Sequence, residues 1–258
     1  MLRWSIPLFR VCGIRLSVHA SFLLLLAWWA QRGWDDDGWT GLWWSSALLL
    51  SFFLCVVLHE LGHCLTARQF GIGTRGILLL PIGGMADMEQ IPRQPSREIL
   101  MTLAGPAVNF VIAPALWLVV RHFPDDTPMY SLDGLLYELC VWNFVMGCFN
   151  LLPAFPMDGG RILRALLALR LPYGRATFWA ATVGKVLGGA GVLIMLWYHN
   201  WLVAVLFSFI IFAGETEYRL VRRREEEAEH WRQWQLRALG RPSGVSSADE
   251  PADNGIGR

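Results

Sequence analysis

The sequence predicts an all-α polytopic membrane protein with about six transmembrane helices. Hydrophobic residues make up 54% of the 258 residues, charged residues make up only 17%, and the mean hydropathy is +0.38. A soluble domain carries about a quarter of its residues as Asp, Glu, Lys or Arg, which is more charge than this chain has. The net charge of +1 gives no indication of a nucleic-acid partner. The composition therefore favours a single core embedded in lipid.

Six stretches of the chain are apolar enough, over about 20 residues each, to cross a bilayer as helices. The first is short and is expected to extend back towards Gly13. Arg3, Arg10 and Arg15 precede it in the manner of a signal peptide, but no small-x-small cleavage site follows, so we interpret it as a retained span. The predicted spans are residues 16–31, 42–66, 98–120, 132–152, 176–198 and 201–219.

The basic residues alternate between the connections of these six spans. The N-terminus, the second and fourth connections and the segment after the last span each contain at least three Arg. The other connections, QRGWDDDGWTG, RHFPDDTPMYS and HNW, contain at most one Arg each and up to three Asp. The positive-inside rule therefore places both termini in the cytoplasm, and we expect a multi-pass protein of a bacterial plasma membrane.

The chain after Tyr218 differs in composition from the membrane segments. We divide the chain into a six-span domain at residues 1–219, a cytoplasmic charged helix at 220–239 and a disordered tail at 240–258. The charged helix has a basic block, an acidic block and two Trp, and is compatible with the membrane surface, with a partner or with solvent. The tail is rich in Ser, Pro, Asp, Gly and Asn, which predicts disorder.

A candidate metal site lies in the second predicted span, in the stretch VVLHELGHCL. His59 and His63 are four residues apart and share one face of a helix, and Glu60 lies beside them, where it can polarise a bound water. Ionisable residues inside a membrane segment are costly and are functional by default. Cys64 points about a quarter-turn away from His63, so we favour it as a packing residue over a ligand. A catalytic zinc needs three protein ligands, so a third is expected elsewhere in the chain.

Asp158 is the candidate third ligand, because it lies in the broken stretch NLLPAFPMDGGR. Two Pro break a helix, and two Gly allow a turn. Non-helical backbone at membrane depth is tolerated where it is buried in protein or lines a wet cavity, so this stretch is expected to face a polar site. The His pair and Asp158 both lie towards the cytoplasmic ends of their predicted spans. The alternative is that Asp158 only caps the helix that follows it.

Four motifs, HELGH, GGMA, AGPAVN and NLLPAFPMDGGR, occur in an order and at spacings that resemble the site-2 protease family of intramembrane zinc metalloproteases, peptidase family M50. The resemblance runs from about Gly13 to Glu217. It is closest to the compact six-span members of the family, which carry no PDZ or CBS domain. It implies the same membrane fold for most of this chain.

The resemblance also implies a role for each residue of the candidate site. His59, His63 and Asp158 would bind one Zn²⁺ per chain, and Glu60 would be the general base. Asn150, eight residues before Asp158, would steady the tetrahedral intermediate.

A short β-hairpin or loop is predicted after the second helix, in LLLPIGGMADME. Residues 78–81 are strand-like, and Gly83 and Gly84 permit a sharp turn. The resemblance implies that this loop is inserted in the membrane near the site, where a strand edge could pair with an unwound substrate; an ordinary cytoplasmic hairpin is the alternative. Gly83, Gly84 and Asn109, the last from AGPAVN, are the predicted substrate-binding residues.

The predicted function is a zinc-dependent endopeptidase that cuts a peptide bond within or near a transmembrane segment and releases a cytosolic fragment. The predicted partners are the lipid bilayer and a membrane-tethered protein, such as an anti-sigma factor or another tethered regulator, with no nucleic acid. The alternative function is a non-proteolytic zinc-binding scaffold or a transporter. A transporter needs a polar path on both faces, and zinc binding alone does not require Glu60.

Overall fold

The computed structural model describes residues 4–89, 92–123 and 130–239, and the predicted disordered tail lies outside these residues. The described part contains four strands and six helices. The strands are β1 (Ser5–Val11), β2 (Ile14–His19), β3 (Thr74–Leu80) and β4 (Gly83–Met88). The helices are α1 (Ala20–Gln69), α2 (Pro95–Val120), α3 (Leu132–Asn150), α4 (Asp158–Ala168), α5 (Tyr173–Trp197) and α6 (Trp201–Ala238).

Helix α1 is broken in its first half. Asp37 and Gly38 leave helical geometry, and Gly38 has a φ of +52°, which favours glycine. Gly33 and Gly41 then touch, because a Cβ atom on Gly33 would lie 2.3 Å from the carbonyl oxygen of Gly41. The chain therefore folds back on itself and divides α1 into two arms, 20–36 and 39–69, which correspond to the first two predicted spans.

Five described helices are long and apolar enough to cross a membrane: α1, α2, α3, α5 and α6. Helix α1 has 50 residues, or about 75 Å of helix, which is enough for two crossings of a core about 30 Å thick. The count of six spans stays a prediction. Helix α6 continues without a break to Ala238, so the charged segment 220–238 is an extension of the last apolar helix.

The expectation that the first span extends back towards Gly13 is wrong. The described residues are mostly helical, as predicted, but they contain four strands where the prediction had one short hairpin. Residues 14–19 form β2, and α1 begins at Ala20, where the His19 side chain accepts a hydrogen bond from the Ser21 backbone. In IRLSVH, the apolar Ile, Leu and Val alternate with the polar Arg, Ser and His, and such alternation is the pattern of a strand. Hydropathy alone does not distinguish a short buried strand from the start of an apolar helix.

The strands form one sheet in the order β1-β2-β3-β4. The β1–β2 and β3–β4 pairs are antiparallel and the β2–β3 pair is parallel. The β3–β4 pair is the predicted hairpin, whose insertion in the membrane stays a prediction. The sheet packs on the second arm of α1, which carries HELGH, so β4 comes to lie beside the candidate site. The buried residues of this contact include Leu16, Val18, Ile77 and Leu79 of the sheet and Phe53, Val56, Val57 and Leu61 of α1.

Candidate metal centre

Three buried side chains from two distant parts of the chain meet at one point. The Nε2 atoms of His59 and His63 lie 3.1 Å apart, and each lies 3.2 Å from Oδ2 of Asp158. The three residues are 3%, 4% and 7% exposed. Among the described residues, this is the one group of three or more His, Cys, Asp or Glu side chains close enough to share a metal ion. The predicted metal ligands are therefore brought together, and Cys64 is not among them.

A relay of hydrogen bonds from α3 through α2 fixes the tautomer of His59. The amide nitrogen of Asn143 donates to the Leu139 carbonyl at 2.8 Å, which leaves its oxygen to accept from Asn109 at 3.0 Å. The oxygen of Asn109 then faces Nδ1 of His59 at 2.6 Å, so this ring nitrogen carries the proton. Because the relay begins at a carbonyl oxygen, which only accepts, its direction is set. The Nε2 atom of His59 is left with a free lone pair.

His63 is held in the same way by a single backbone group. Its Nδ1 atom donates to the Met101 carbonyl at 2.9 Å, so in the neutral ring Nε2 is again the nitrogen with the lone pair. Three lone pairs, from His59, His63 and Asp158, therefore converge. Asp158 Oδ2 is buried and has no hydrogen-bond donor among the described residues. A cation satisfies this arrangement, and two imidazoles with one carboxylate are a donor set that suits zinc.

Gly105 of α2 leaves the space that the metal needs. A Cβ atom at this position would lie 2.2 Å from Nε2 of His63 and 2.8 Å from Nε2 of His59. Any side chain would therefore fill the point where the ligand atoms meet. Gly62 lets α1 and α2 approach closely beside the site, since its Cβ atom would lie 2.6 Å from the Ala104 carbonyl oxygen.

Three contributors to this centre are not among the predicted site residues: the Met101 carbonyl, Gly105 and Asn143. Gly105 belongs to the AGPAVN motif, whose small residues predict close packing of helices and do not by themselves indicate a place beside the metal ligands. Asn143 had a usable signal, because it is an amide in the middle of a predicted apolar span, where polar residues are costly. The carbonyl of Met101 carries no signal in the sequence, since every residue has one.

Two glycines and a buried loop bring Asp158 to the histidines. The loop between α3 and α4 buries Ala154 and Phe155. Gly159 and Gly160 let the start of α4 touch this loop, because their Cβ atoms would lie 2.2 Å from the Leu152 carbonyl oxygen and 2.7 Å from the Ala154 backbone. The residue that caps α4 is Met157, and Asp158 is the first residue inside the helix. The alternative role of Asp158 as the cap is therefore wrong.

The Glu60 side chain lies over the backbone of β4. A Cβ atom on Gly84 would lie 2.6 Å from Cγ of Glu60 and 3.2 Å from its carboxyl carbon. Glu60 is half-buried, unlike its two buried histidine neighbours. Strand β4 is the last in the sheet order, so its outer edge is not paired with another described strand. The candidate base and the candidate substrate edge are thus in contact.

The structure places Asn109 and Asn150 differently from Glu60. Asn109 is fully buried and bonds His59 and Asn143, so it lies behind the metal ligands and does not face a substrate. The predicted substrate-binding role of Asn109 is corrected to one of holding His59. Asn150 is half-buried on the last turn of α3, and its amide nitrogen donates to the Met146 carbonyl at 3.1 Å. Its catalytic role stays a prediction.

A His-Glu-x-x-His pair on an apolar helix, completed by a distant aspartate, defines a metallopeptidase type of site in a membrane protein. The chain belongs to peptidase family M50, whose family model matches residues 47–131 and 125–189. The predicted family is therefore confirmed. Zinc is the metal that the family and its named zinc metalloproteases indicate, and the cluster of His59, His63 and Asp158 could hold it.

Two curated proteins illustrate the similarity of this chain to known relatives, and the name of the first contains the metal. The chain is 39% identical over 220 residues to a zinc metalloprotease of Methanocaldococcus jannaschii, covering 85% of this chain and 62% of that protein. It is 30% identical over 129 residues to stage IV sporulation protein FB of Bacillus subtilis, covering 50% of this chain and 43% of that protein. The chain thus spans less than two thirds of the length of these relatives.

A solved structure shares the fold. The site-2 protease from Methanocaldococcus jannaschii matches with a TM-score of 0.61 and 38% sequence identity. The match covers 83% of this chain and 95% of that structure. The shared fold extends to most of the described helices, beyond the motifs of the site alone.

Proposed function

We propose that this chain is an intramembrane zinc metalloprotease. It hydrolyses a peptide bond within or near the transmembrane segment of a membrane-tethered protein and releases a cytosolic fragment. The observation that carries this proposal is the contact of Glu60 with Gly84, because it joins a carboxylate beside the metal ligands to a strand edge that no other described strand pairs with. A metal site without a general base such as Glu60 would bind the metal ion but would lack the group that takes the proton from water.

The residues of the site divide the chemistry between them. When bound, zinc lowers the pKa of a water molecule and polarises the scissile carbonyl group. Glu60 takes the proton from the attacking water and later passes it to the leaving amine. Its partial exposure leaves it accessible to both groups, whereas the fully enclosed Asn109 and the Met101 carbonyl keep the histidines oriented.

Asn150 completes the proposed machinery as a donor to the tetrahedral intermediate. Its amide nitrogen now donates to the Met146 carbonyl, within its own helix. The amide nitrogen carries two N–H groups, so the one that does not bond Met146 can donate to the substrate. Asn150 lies on the last turn of α3 and is only half-buried, which leaves this second N–H group accessible.

The proposed substrate is a transmembrane protein that is bound as an extended strand. A transmembrane helix has all its backbone groups paired, so unwinding it in the membrane exposes groups that cost several kcal/mol each. The outer edge of β4, at Gly83 and Gly84, is not paired within the described part of the chain and offers new partners to those groups. An anti-sigma factor or another tethered regulator fits this description. Cleavage near the cytoplasmic face of a plasma membrane would free its soluble part.

The described residues favour a protease over a transporter. They contain one cluster of three metal-ligating side chains, and a transport path needs a succession of such sites across the membrane.

The test compares the membrane proteomes of cells that contain the wild-type protein and cells that contain Glu60→Gln. We expect at least one membrane-anchored protein to accumulate with Glu60→Gln, and its cut form in wild-type cells to end within or near its span. The purified variant should still bind one zinc ion, since Glu60 is not a ligand. Identical proteomes from two proteins that both retain zinc would contradict the protease and favour a zinc-binding scaffold.

A further inference from the structure

Arg164 is the largest of the fully buried side chains among the described residues. It lies on α4, six residues after Asp158, which is about 9 Å along the helix axis. No part of the proposed chemistry uses it. A buried arginine in a membrane protein is costly enough to need an explanation.

The guanidinium group of Arg164 is engaged on several sides by other elements. Its Nε atom donates to Oε1 of Glu98 at 2.9 Å, and Nη2 donates to the same oxygen. Its Nη1 atom donates to Oε1 of Glu217 at 2.6 Å. Its carbon Cζ lies 5.1 Å from the ring centre of Tyr173 and 5.3 Å from that of Phe155. The partners come from α2, α6, α5 and the loop before α4.

Stability alone does not account for this cluster. Burial lowers the pKa of the Arg164 guanidinium, but Glu98, with a smaller contribution from Glu217, raises it above its ordinary value, so the group is charged. A buried ion pair is often no more stable than apolar residues of the same volume, because both charges lose water. Oε2 of Glu98 is buried without a hydrogen-bond partner among the described residues, which adds to the cost. The planar guanidinium group donates hydrogen bonds in fixed directions, so it specifies one arrangement of the helices around it better than apolar packing does.

Glu98 belongs to the face of α2 that holds the metal ligands. Glu98, Met101, Gly105 and Asn109 are all buried or line the site, and they recur every three or four residues, so they share one face. The last three contact His59 or His63. The bond from Arg164 to Glu98 therefore attaches the helix that carries Asp158 to the helix that orients both histidines.

We propose that Arg164 is a positioning residue that sets the register of α4 against α2 and so places Asp158 as the third metal ligand. This inference rests on the proposed zinc site. Loss of the fork leaves His59 and His63 in place, since α1 and α2 hold them. It lets the start of α4 shift, so the carboxylate of Asp158 no longer meets the two Nε2 atoms.

The test uses Arg164→Lys in the full chain, because lysine keeps the charge but lacks the planar fork. Zinc affinity is measured by competition with a chelator, and ligand geometry by the visible absorption of the Co²⁺-substituted protein. We expect the zinc affinity to fall about 10- to 100-fold, the range found when partners of metal ligands are removed. The cobalt bands should shift towards those of Asp158→Asn, in which the third ligand is changed.

Lys185→Met is the matched control, because Lys185 also forms a half-buried ion pair between helices. Its Nζ atom lies 2.9 Å from Oε2 of Glu215, and it joins α5 to α6 rather than to α4. Glu215 keeps a second partner in Arg219. This variant should retain the wild-type zinc affinity and cobalt bands, since the position of Asp158 does not depend on it.

Wild-type affinity and wild-type cobalt bands in Arg164→Lys would overturn the inference. An equal fall in Lys185→Met would also overturn it, because the effect would then be a general loosening of the fold. If Arg164→Lys does not fold, Glu98→Gln takes its place and should change affinity and bands in the same direction; no change would overturn the inference. A wild-type protein that binds neither metal would contradict the zinc site itself.

Discussion

The Nδ1 atom of His59 lies 2.6 Å from the Oδ1 atom of Asn109, fifty residues further along the chain. The amide nitrogen of Asn109 already donates to Asn143, so its oxygen must face the imidazole. In the neutral imidazole of His59, the metal-facing Nε2 atom is thus the nitrogen that holds the lone pair. In many metal sites a carboxylate accepts the hydrogen bond from the second ring nitrogen of the histidine. Here a neutral amide accepts it, which adds no further charge at membrane depth.

Replacing Asn109 by leucine should lower zinc affinity about 10- to 100-fold, because the acceptor that fixes the His59 tautomer is lost without a large change of volume. Competition with a chelator measures the affinity. Asn143→Leu removes a bond one step further from the metal and should give a smaller fall. Equal affinities of Asn109→Leu and the wild type would contradict the relay.

Gly105→Ala should abolish stoichiometric zinc binding. The new methyl group would lie 2.2 Å from Nε2 of His63, where a metal ligand needs free space. Gly189→Ala is the matched control, because Gly189 is also helical and its Cβ atom would meet nothing within 4 Å. The zinc content of both purified proteins is measured by metal analysis. One zinc ion per chain in Gly105→Ala would contradict the position of the metal beside Gly105.

Gly84→Ala should slow cleavage while zinc binding is retained. Its methyl group would lie 2.6 Å from Cγ of Glu60 and would push the carboxylate aside. A displacement of about 1 Å in a catalytic group can cost about 10²-fold in rate. The rate is measured on the substrate that accumulates with Glu60→Gln, with Gly189→Ala as the control. An unchanged rate would mean that Glu60 does not act from this position.

Removal of zinc should lower the melting temperature of the wild-type protein. A ligand at a hundredfold excess over its dissociation constant stabilises the folded state by about 2.7 kcal/mol, and this stabilisation is lost when the cation is removed. The lone pairs of the three ligands then face one another with no cation between them. Glu60→Gln should show the same shift as the wild type on chelation and on return of zinc, because its ligands are intact. Asp158→Asn should show a much smaller one. A full shift in Asp158→Asn would exclude Asp158 as a ligand.

The metal ligands were predictable because each carries a local signal. His59 and His63 are four residues apart in an apolar run, and any helix there places them on one face. Asp158 lies between a Pro-rich break and two glycines, and such a break at membrane depth is expected only near a polar site. The meeting of these two stretches across about a hundred residues came from the family resemblance and from matched depth, and not from local pattern.

The first strands were missed because hydropathy measures burial and not conformation. Ile14, Leu16 and Val18 of β2 are buried against residues of α1 and β3. Their partner in the sheet, β3, is some sixty residues away, so the pairing that makes them a strand is invisible in a local window.

The sequence by itself determined the class of protein, the ligand types and the candidate base, because composition and residue chemistry need no partner to be recognised. Only the tertiary structure decided that Gly105 makes room for the metal, that Asn109 and Met101 set the tautomers, and that Glu60 lies on Gly84. The bonds of Arg164 to Glu98 and Glu217 were also decided only by the tertiary structure. Each depends on which backbone approaches which side chain, and packing between distant helices sets those approaches at a precision of a few tenths of an ångström.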